Sequence, residues 1–144
     1  LPIMIGGHGE RVLLKLVAKH ADMWNMTNAD AAEMKRLIGV IERHADTVGR
    51  DSDQVEKTLM MAMAYNPSKQ RDEMLSGLIA MMAQSTPDKA RERIVIGSKQ
   101  ECIDKIEIFI KAGVTHFIFM GVFGMIEEDE VQGFAEEVIP TFRK

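Results

Sequence analysis

The 144-residue sequence predicts an α/β fold built on a parallel sheet. Three observations carry that expectation. Short apolar runs alternate with stretches whose apolar residues fall at helical spacing. Glycine, proline or capping residues punctuate the changes of period. The strand–helix order repeats, so successive strands run in one direction through right-handed crossovers. The units read βα, βα, β–insertion–α, βα. Four units are half of a closed eight-stranded barrel, which takes about 200–250 residues; a small open doubly wound sheet satisfies the pattern equally. No internal repeat or linker-like stretch divides the chain, so residues 1–144 are expected to form a single domain.

In chain order, Ile3-Met4-Ile5 ends at Gly6-Gly7 and reads as a buried strand. Val12, Leu13, Leu16 and Val17 form one face of a helix, and Asp22 to Met26 a weaker strand. Asp30 and Glu33 make a capping box for a helix carrying Met34, Leu37, Ile38, Ile41, Ala45 and Val48, closed by Gly49. Lys57 to Tyr65 is a strand in which Leu59, Met61 and Met63 alternate with their neighbours, stopped by Asn66-Pro67. The insertion follows. Met74, Leu75, Leu78, Ile79 and Met82 outline one helix, and Thr86-Pro87 opens a short basic one. Ile94 to Gly97 is extended. Ser98 and Glu101 form a second capping box, before a face of Ile103, Ile106, Phe109 and Ile110 that ends at Gly113. Val114 to Val122 is the most strand-like run. Val131, Phe134, Ala135 and Val138 mark a last helix, stopped by Pro140.

Composition narrows the function classes. Apolar residues at 46% and charged residues at 28% are those of a globular chain, which sets disorder aside. A net charge of −4 gives no electrostatic case for nucleic acid or an anionic membrane. Cys102 is the single cysteine and cannot form an internal disulfide, so a cytoplasmic setting is expected. No run reaches the about 18 apolar residues of a membrane span; the longest, Val114 to Ile126, contains His116. The N-terminus shows no basic region of a secretion signal. It opens on Leu1-Pro2-Ile3, as if inside a strand and without methionine. A piece of a longer protein is one expectation, and a short gene with a trimmed start the other.

One segment could carry chemistry. Gly6-Gly7-His8-Gly9-Glu10-Arg11 lies where a strand ends and a helix opens. Glycines allow close backbone approach and positive φ, and a helix start offers N–H groups and the positive end of the dipole. Phosphate suits such a place. The segment is neither a P-loop nor GxGxxG, and a tight turn that needs glycine for steric reasons explains it as well.

A resemblance sharpens this reading. Pro2 to Arg11, followed by Leu14, Ala18, His20-Ala21-Asp22 and Trp24-Asn25, resembles the fifth strand–helix–strand unit of the luciferase-like oxidoreductases, which use FMN or the deazaflavin coenzyme F420. Val48-Gly49-Arg50-Asp51 is similar to the family's next turn. Ile96-Gly97-Ser98 with Glu101 resembles its Gly-Thr/Ser-Pro-Glu segment, with Lys99 in place of the proline. Ala112-Gly113-Val114, Phe117-Ile118 and Phe134 to Pro140 resemble the last strand and helix. The likeness spans nearly the whole chain in order. It implies the C-terminal half of a (β/α)8 TIM barrel, with a helical insertion after the third strand. It also implies that Gly6, Gly7, His8 and Gly9 cradle a cofactor phosphate, and that Asn25, ending the second strand, could face the cofactor, though a turn role suits Asn25 equally. The branch it points to is F420 more than FMN. His8 stands where the family often has a small residue, and its side chain is expected to face solvent.

Other marked residues read as structure. Trp24 is a packing residue more than a stacking platform. His20 and His44 lie near helix ends, and His116 in a strand has no second ligand at metal spacing, so no metal site is expected. Cys102 is a buried or boundary residue. The methionines fill core, the run Glu127 to Glu130 is a solvated helix cap, and Lys89, Arg91 and Arg93 lie on a solvated face.

The expected function is therefore the cofactor-phosphate portion of an F420- or FMN-dependent oxidoreductase (hydride transfer or monooxygenation) acting on a small molecule. By the resemblance, ring and substrate pockets belong to the other half. No nucleophile–base pair or paired carboxylates stand at a strand end, so no catalytic residue is assigned and the chain alone is expected to be inactive. The alternative is a non-catalytic, self-associating half-barrel that holds flavin or is purely structural. An unrelated α/β domain with a phosphate-binding turn comes third. A half-barrel leaves an apolar inner face and two unpaired edges, so a homo-oligomer, a homodimer first, is expected.

Overall fold

The computed structural model of the chain describes residues 1–121 and 125–143. They are organised as two compact units. The first comprises 1–60 with 109–118, the second 61–108 with 119–144.

In the first unit, strand β1 (Met4–Gly6) leads to helix α1 (Leu13–His20), strand β2 (Met23–Thr27), helix α2 (Ala31–Val48) and the first part of strand β3 (Glu56–Tyr65). The strands are parallel, as the repeating strand–helix order requires. Ile5 pairs with Trp24, Gly6 with Asn25, Asn25 with Thr58, and Thr27 with Met60. Helix α2 has the ends its sequence anticipates. The Asp30 carboxylate accepts from the Glu33 N–H at 2.8 Å, and Gly49 closes the helix at φ 70°. Strand β5 (His116–Met120) pairs with β3, and the Thr115 N–H bonds the Lys57 carbonyl at 2.9 Å. Of the expected run Val114 to Val122, Val122 lies outside the described residues.

In the second unit, the remainder of β3 is followed by α3 (Lys69–Met82), α4 (Pro87–Arg91), strand β4 (Val95–Gly97), most of α5 (Lys99–Lys111) and α6 (Glu128–Gly133). A π turn (Phe134–Val138) and a 3₁₀ turn (Ile139–Phe142) extend α6 past Pro140, which does not stop it because proline is tolerated in a first turn. Strand β4 pairs with the end of β3, Met63 with Val95 and Tyr65 with Gly97. Ala62, Ala64, Leu75, Ile79, Ala80, Ala90, Ile94 and Ile96 form the core of the insertion.

The structure corrects several details. Ile3-Met4-Ile5 is not a buried strand: Ile3 is 51% and Met4 44% exposed, because among the described residues β1 has a sheet partner only in β2. The buried face of α1 is Leu14, Val17 and Ala18, whereas Val12 and Leu16 are exposed. Leu14, Val17 and Ala18 fall at i, i+3 and i+4, a second apolar stripe beside the one through Val12 and Leu16, and it is the second stripe that is buried. Strand β3 does not alternate. Leu59, Met61 and Met63 are buried, but so are Thr58, Ala62 and Ala64 on the opposite face. Met74, Met82, Ile110 and Val131, expected to face inward, are exposed, as is Ala135. The acidic run is not uniformly solvated either. Glu130 is buried and bonds the Arg71 guanidinium through both oxygens, at 2.8 and 2.9 Å.

Candidate functional site

The segment between β1 and α1 is held from three sides. Gly7 sits at φ 122°, where L side chains are strained, and a Cβ there would lie 3.1 Å from Leu13 Cδ1. Its N–H donates to the Asn25 carbonyl at 3.0 Å, and its carbonyl accepts from the Trp24 indole at 2.7 Å. Trp24 is fully buried, so its one polar atom reaches out of the core to fix the turn. Further along, the Gly9 carbonyl accepts from the Leu14 N–H at 3.0 Å. The Glu10 carboxylate meets Arg36 at 2.6 Å, and the Glu10 carbonyl contacts His44 Nε2 at 2.9 Å. The Arg36 hydrogen bond, then its charge, holds the Glu10 carboxyl below its ordinary range. Helix α2 thus braces the turn and balances its one negative charge.

Each residue expected at the site can now be placed. Gly7 acts through its conformation, since its N–H is already committed to Asn25. His8 and Gly9 are exposed, and among the described residues their amides have no hydrogen-bond partner. A Cβ at Gly9 would meet only Leu13 Cβ at 3.5 Å, and one at Gly6 only the Asn25 carbonyl at 3.7 Å, both ordinary contacts. Helix α1 does not begin directly at the glycines; residues 10–12 form an intervening turn, and Val12 provides no side-chain cap. The open side of this segment is a shallow depression of about 530 Å³ lined by Ile5, Gly9, Glu10, Arg11, Val12, Leu13 and Leu16.

Asn25 does not end β2 as expected but stands at its middle, because the strand runs on to Thr27, and it meets the turn through its neighbours. Gly6, Asn25 and Thr58 are successive register partners on β1, β2 and β3, so the side chains of Asn25 and Thr58 leave the sheet on one face, at the level of Gly6. Asn25 Oδ1 and Thr58 Oγ1 are both buried, and among the described residues neither has a hydrogen-bond partner. Thr58 was not legible as a site residue. A threonine inside a strand is ordinary, and only its register with Asn25 marks it out.

The remaining marked residues stay apart from the turn or serve the fold. His20 ends α1 and is exposed. His116 Nδ1 lies 3.1 Å from Glu56. Cys102 is fully buried, and desolvation pushes its thiol up to about 11, which argues against a reactive thiolate. Arg91 pairs with Asp72. Among the described residues, no group of three or more His, Cys, Asp or Glu side chains is placed to hold a metal, and no helix is long and apolar enough to cross a membrane.

No family model and no curated protein sequence matches the chain. Solved structures do. An F420-dependent secondary alcohol dehydrogenase, in complex with an F420–acetone adduct, is similar over 100% of this chain and 49% of its own, with a TM-score of 0.83 and 20% identity. The coenzyme F420-dependent tetrahydromethanopterin reductase from Methanopyrus kandleri is similar over 99% and 51%, with a TM-score of 0.78 and 16% identity. The fold is half of a luciferase-like TIM barrel. A long-chain alkane monooxygenase shares it, over 97% of this chain and 40% of that one, at a TM-score of 0.71 and 15% identity. The half-barrel therefore spans about half the length of these neighbours, and the doubly wound alternative is set aside.

Proposed function

We propose that this half-barrel is the cofactor-phosphate portion, and the C-terminal half, of an F420- or FMN-dependent oxidoreductase of the luciferase-like family. The observation that carries the proposal is the likeness of the whole chain to about half of an F420-dependent alcohol dehydrogenase. The turn after β1 fits the phosphate of either cofactor. It lies at the C-terminal end of a strand, where sites form in such barrels. Gly7 shapes it, the His8 and Gly9 amides offer donors, and glycine at 9 leaves room for close backbone approach. Gly6 and Asn25 border it on the neighbouring strand positions. The bound cofactor supplies hydride transfer, or monooxygenation when oxygen is the acceptor, while the protein binds and orients. Residues 1–144 contribute no catalytic side chain in this reading. The chain works in the cytoplasm on a small-molecule substrate once the barrel is complete, and alone it is inactive.

The exposed apolar side chains of β1 and α1 favour a second reading. Ile3 and Met4, at the start of a short strand that among the described residues pairs only with β2, and Val12 and Leu16, before and within α1, are exposed in the first unit. That surface suits a self-associating half-barrel, a homodimer first, that holds flavin without turning it over.

A fluorescence titration of the purified chain with FMN and with F420 tests the first reading. Gly9→Val fills the approach to the turn at a position where a Cβ meets no close contact. Affinity is expected to fall at least about tenfold, the loss of one or more charge-assisted hydrogen bonds, with the thermal midpoint unchanged. Equal affinity in the variant would remove the phosphate from this turn.

A further inference from the structure

We infer that Arg36, on helix α2, is a positioning residue for the phosphate: by neutralising the Glu10 carboxylate it keeps the turn after β1 open to an anion. This inference rests on the proposed reading of that turn as a phosphate cradle and adds the control of charge at its edge.

Three observations lead there. First, the chain puts a carboxylate at the edge of the turn. Glu10 directly follows Gly9, and both residues line the open depression. Neighbouring Cα atoms are about 3.8 Å apart, and exposed charges act on one another over about 8 Å at physiological salt, so an anion at the His8 and Gly9 amides feels Glu10. Second, α2 meets that carboxylate with the opposite charge. Arg36 Nη1 lies 2.6 Å from Glu10 Oε1, and His44 Nε2 contacts the Glu10 carbonyl at 2.9 Å. Arg43 acts on Glu10 only through its charge and less strongly, while His8 and Arg11 stand exposed beside it in the chain. Third, the Arg36 and Glu10 side chains are 55% and 48% exposed. An ion pair so open to water adds little to the stability of a fold, yet both charges remain within reach of an arriving anion.

Electrostatics then gives the sign and the size. With Arg36 in place the pair is neutral, and phosphate reaches the amide donors without opposition. Without Arg36 a bare carboxylate faces the phosphate. Like charges about 7 Å apart in water weaken binding about threefold for each unit of charge on the phosphate. A ligand without phosphate feels none of this. Arg36 therefore favours the phosphorylated cofactor over its uncharged counterpart, and it does so through Glu10.

The test titrates FMN and riboflavin, which lacks the phosphate, into the wild-type chain and into Arg36→Gln, Arg36→Lys, Gly9→Val and the double variant Arg36→Gln/Glu10→Gln. Arg36→Gln should weaken FMN about three- to tenfold and leave riboflavin unchanged. Arg36→Lys keeps the charge and should keep the FMN affinity. The double variant removes both charges and should restore it. The deficit of Arg36→Gln relative to wild type should also shrink in about 1 M salt, where the screening length falls to about 3 Å. A deficit that the added Glu10→Gln does not repair would make Arg36 a direct phosphate ligand or a brace of the turn, and would overturn the inference. Equal weakening of FMN and riboflavin in Arg36→Gln would overturn it as well. Weaker FMN binding in Gly9→Val with full affinity in Arg36→Gln would overturn this inference and leave the phosphate turn standing. Full FMN affinity in Gly9→Val, or no FMN binding to the wild-type chain, would overturn both.

Discussion

Trp24 joins packing to site geometry in a single side chain. Its rings are fully buried, while its N–H holds the Gly7 carbonyl at 2.7 Å. Trp24→Phe keeps an aromatic ring in the core but leaves that carbonyl without its donor and opens some space. The expected cost is about 1–3 kcal/mol, read from urea unfolding, together with weaker FMN binding because the turn loses its anchor. An unchanged unfolding midpoint would show that the indole does not fix the turn. At this scale the sequence was informative wherever a residue type has few uses. Gly7 requires the positive φ that glycine permits, and Trp24 packs as expected. Asn25 and Thr58 are different. Neither residue type points to the other, and their pairing arises from register between strands that lie about 30 residues apart in the chain.

Helix ends follow local rules and were read well, but not always with the expected chemistry. At the start of α5, Glu101 reaches back to the Ser98 N–H at 2.8 Å, and the Ser98 hydroxyl donates to the same carboxylate oxygen at 2.7 Å. The hydroxyl therefore serves the carboxylate instead of capping the helix N–H. These two bonds, the hydroxyl's first, hold the Glu101 carboxyl below its ordinary 4.5. A depressed folded pKa means that the charged form favours the native state. The resulting stability is fully present above the unfolded value of 4.5 and is lost as pH falls through the lower folded value. Ser98→Ala should therefore be less stable than wild type at pH 7, and the gap should close towards pH 3. Chemical denaturation at both pH values measures this; a gap that persists at pH 3 would contradict it.

The acidic run before α6 shows where local reading fails. Four acids at a helix start suit the dipole and look solvated. Glu130, however, finds its partner 59 residues away in Arg71, which also donates to the Met125 carbonyl at 3.0 Å. No local pattern reveals a pairing at that separation. Arg71→Met strands the buried Glu130 carboxylate and should cost about 3 kcal/mol, whereas adding Glu130→Leu should recover much of the loss. A double variant as unstable as the single one would mean that the pair is held by something other than its charge.

At the scale of the molecule, the order of strands and helices was legible because it depends on periodicity and punctuation. Burial was less so, since it depends on which faces find neighbours. The first strand illustrates this. Its apolar side chains suggest a covered surface, yet among the described residues β1 is paired only with β2, and Ile3 and Met4 are exposed. Together with Val12 and Leu16 this surface should drive association of the isolated chain. Light scattering at micromolar concentration is expected to give about twice the 16.2 kDa of the monomer. A monodisperse monomer would contradict it.

We propose that the backbone after β1 holds the phosphate of a flavin or deazaflavin cofactor. The most direct measurement is a nuclear magnetic resonance titration of the ¹⁵N-labelled chain with FMN, following the His8 and Gly9 amides, with riboflavin in parallel. Both amides should shift with FMN and remain nearly still with riboflavin, while Gly7, already bonded to Asn25, responds less. Binding of FMN that leaves the His8 and Gly9 amides in place would contradict it and move the phosphate elsewhere.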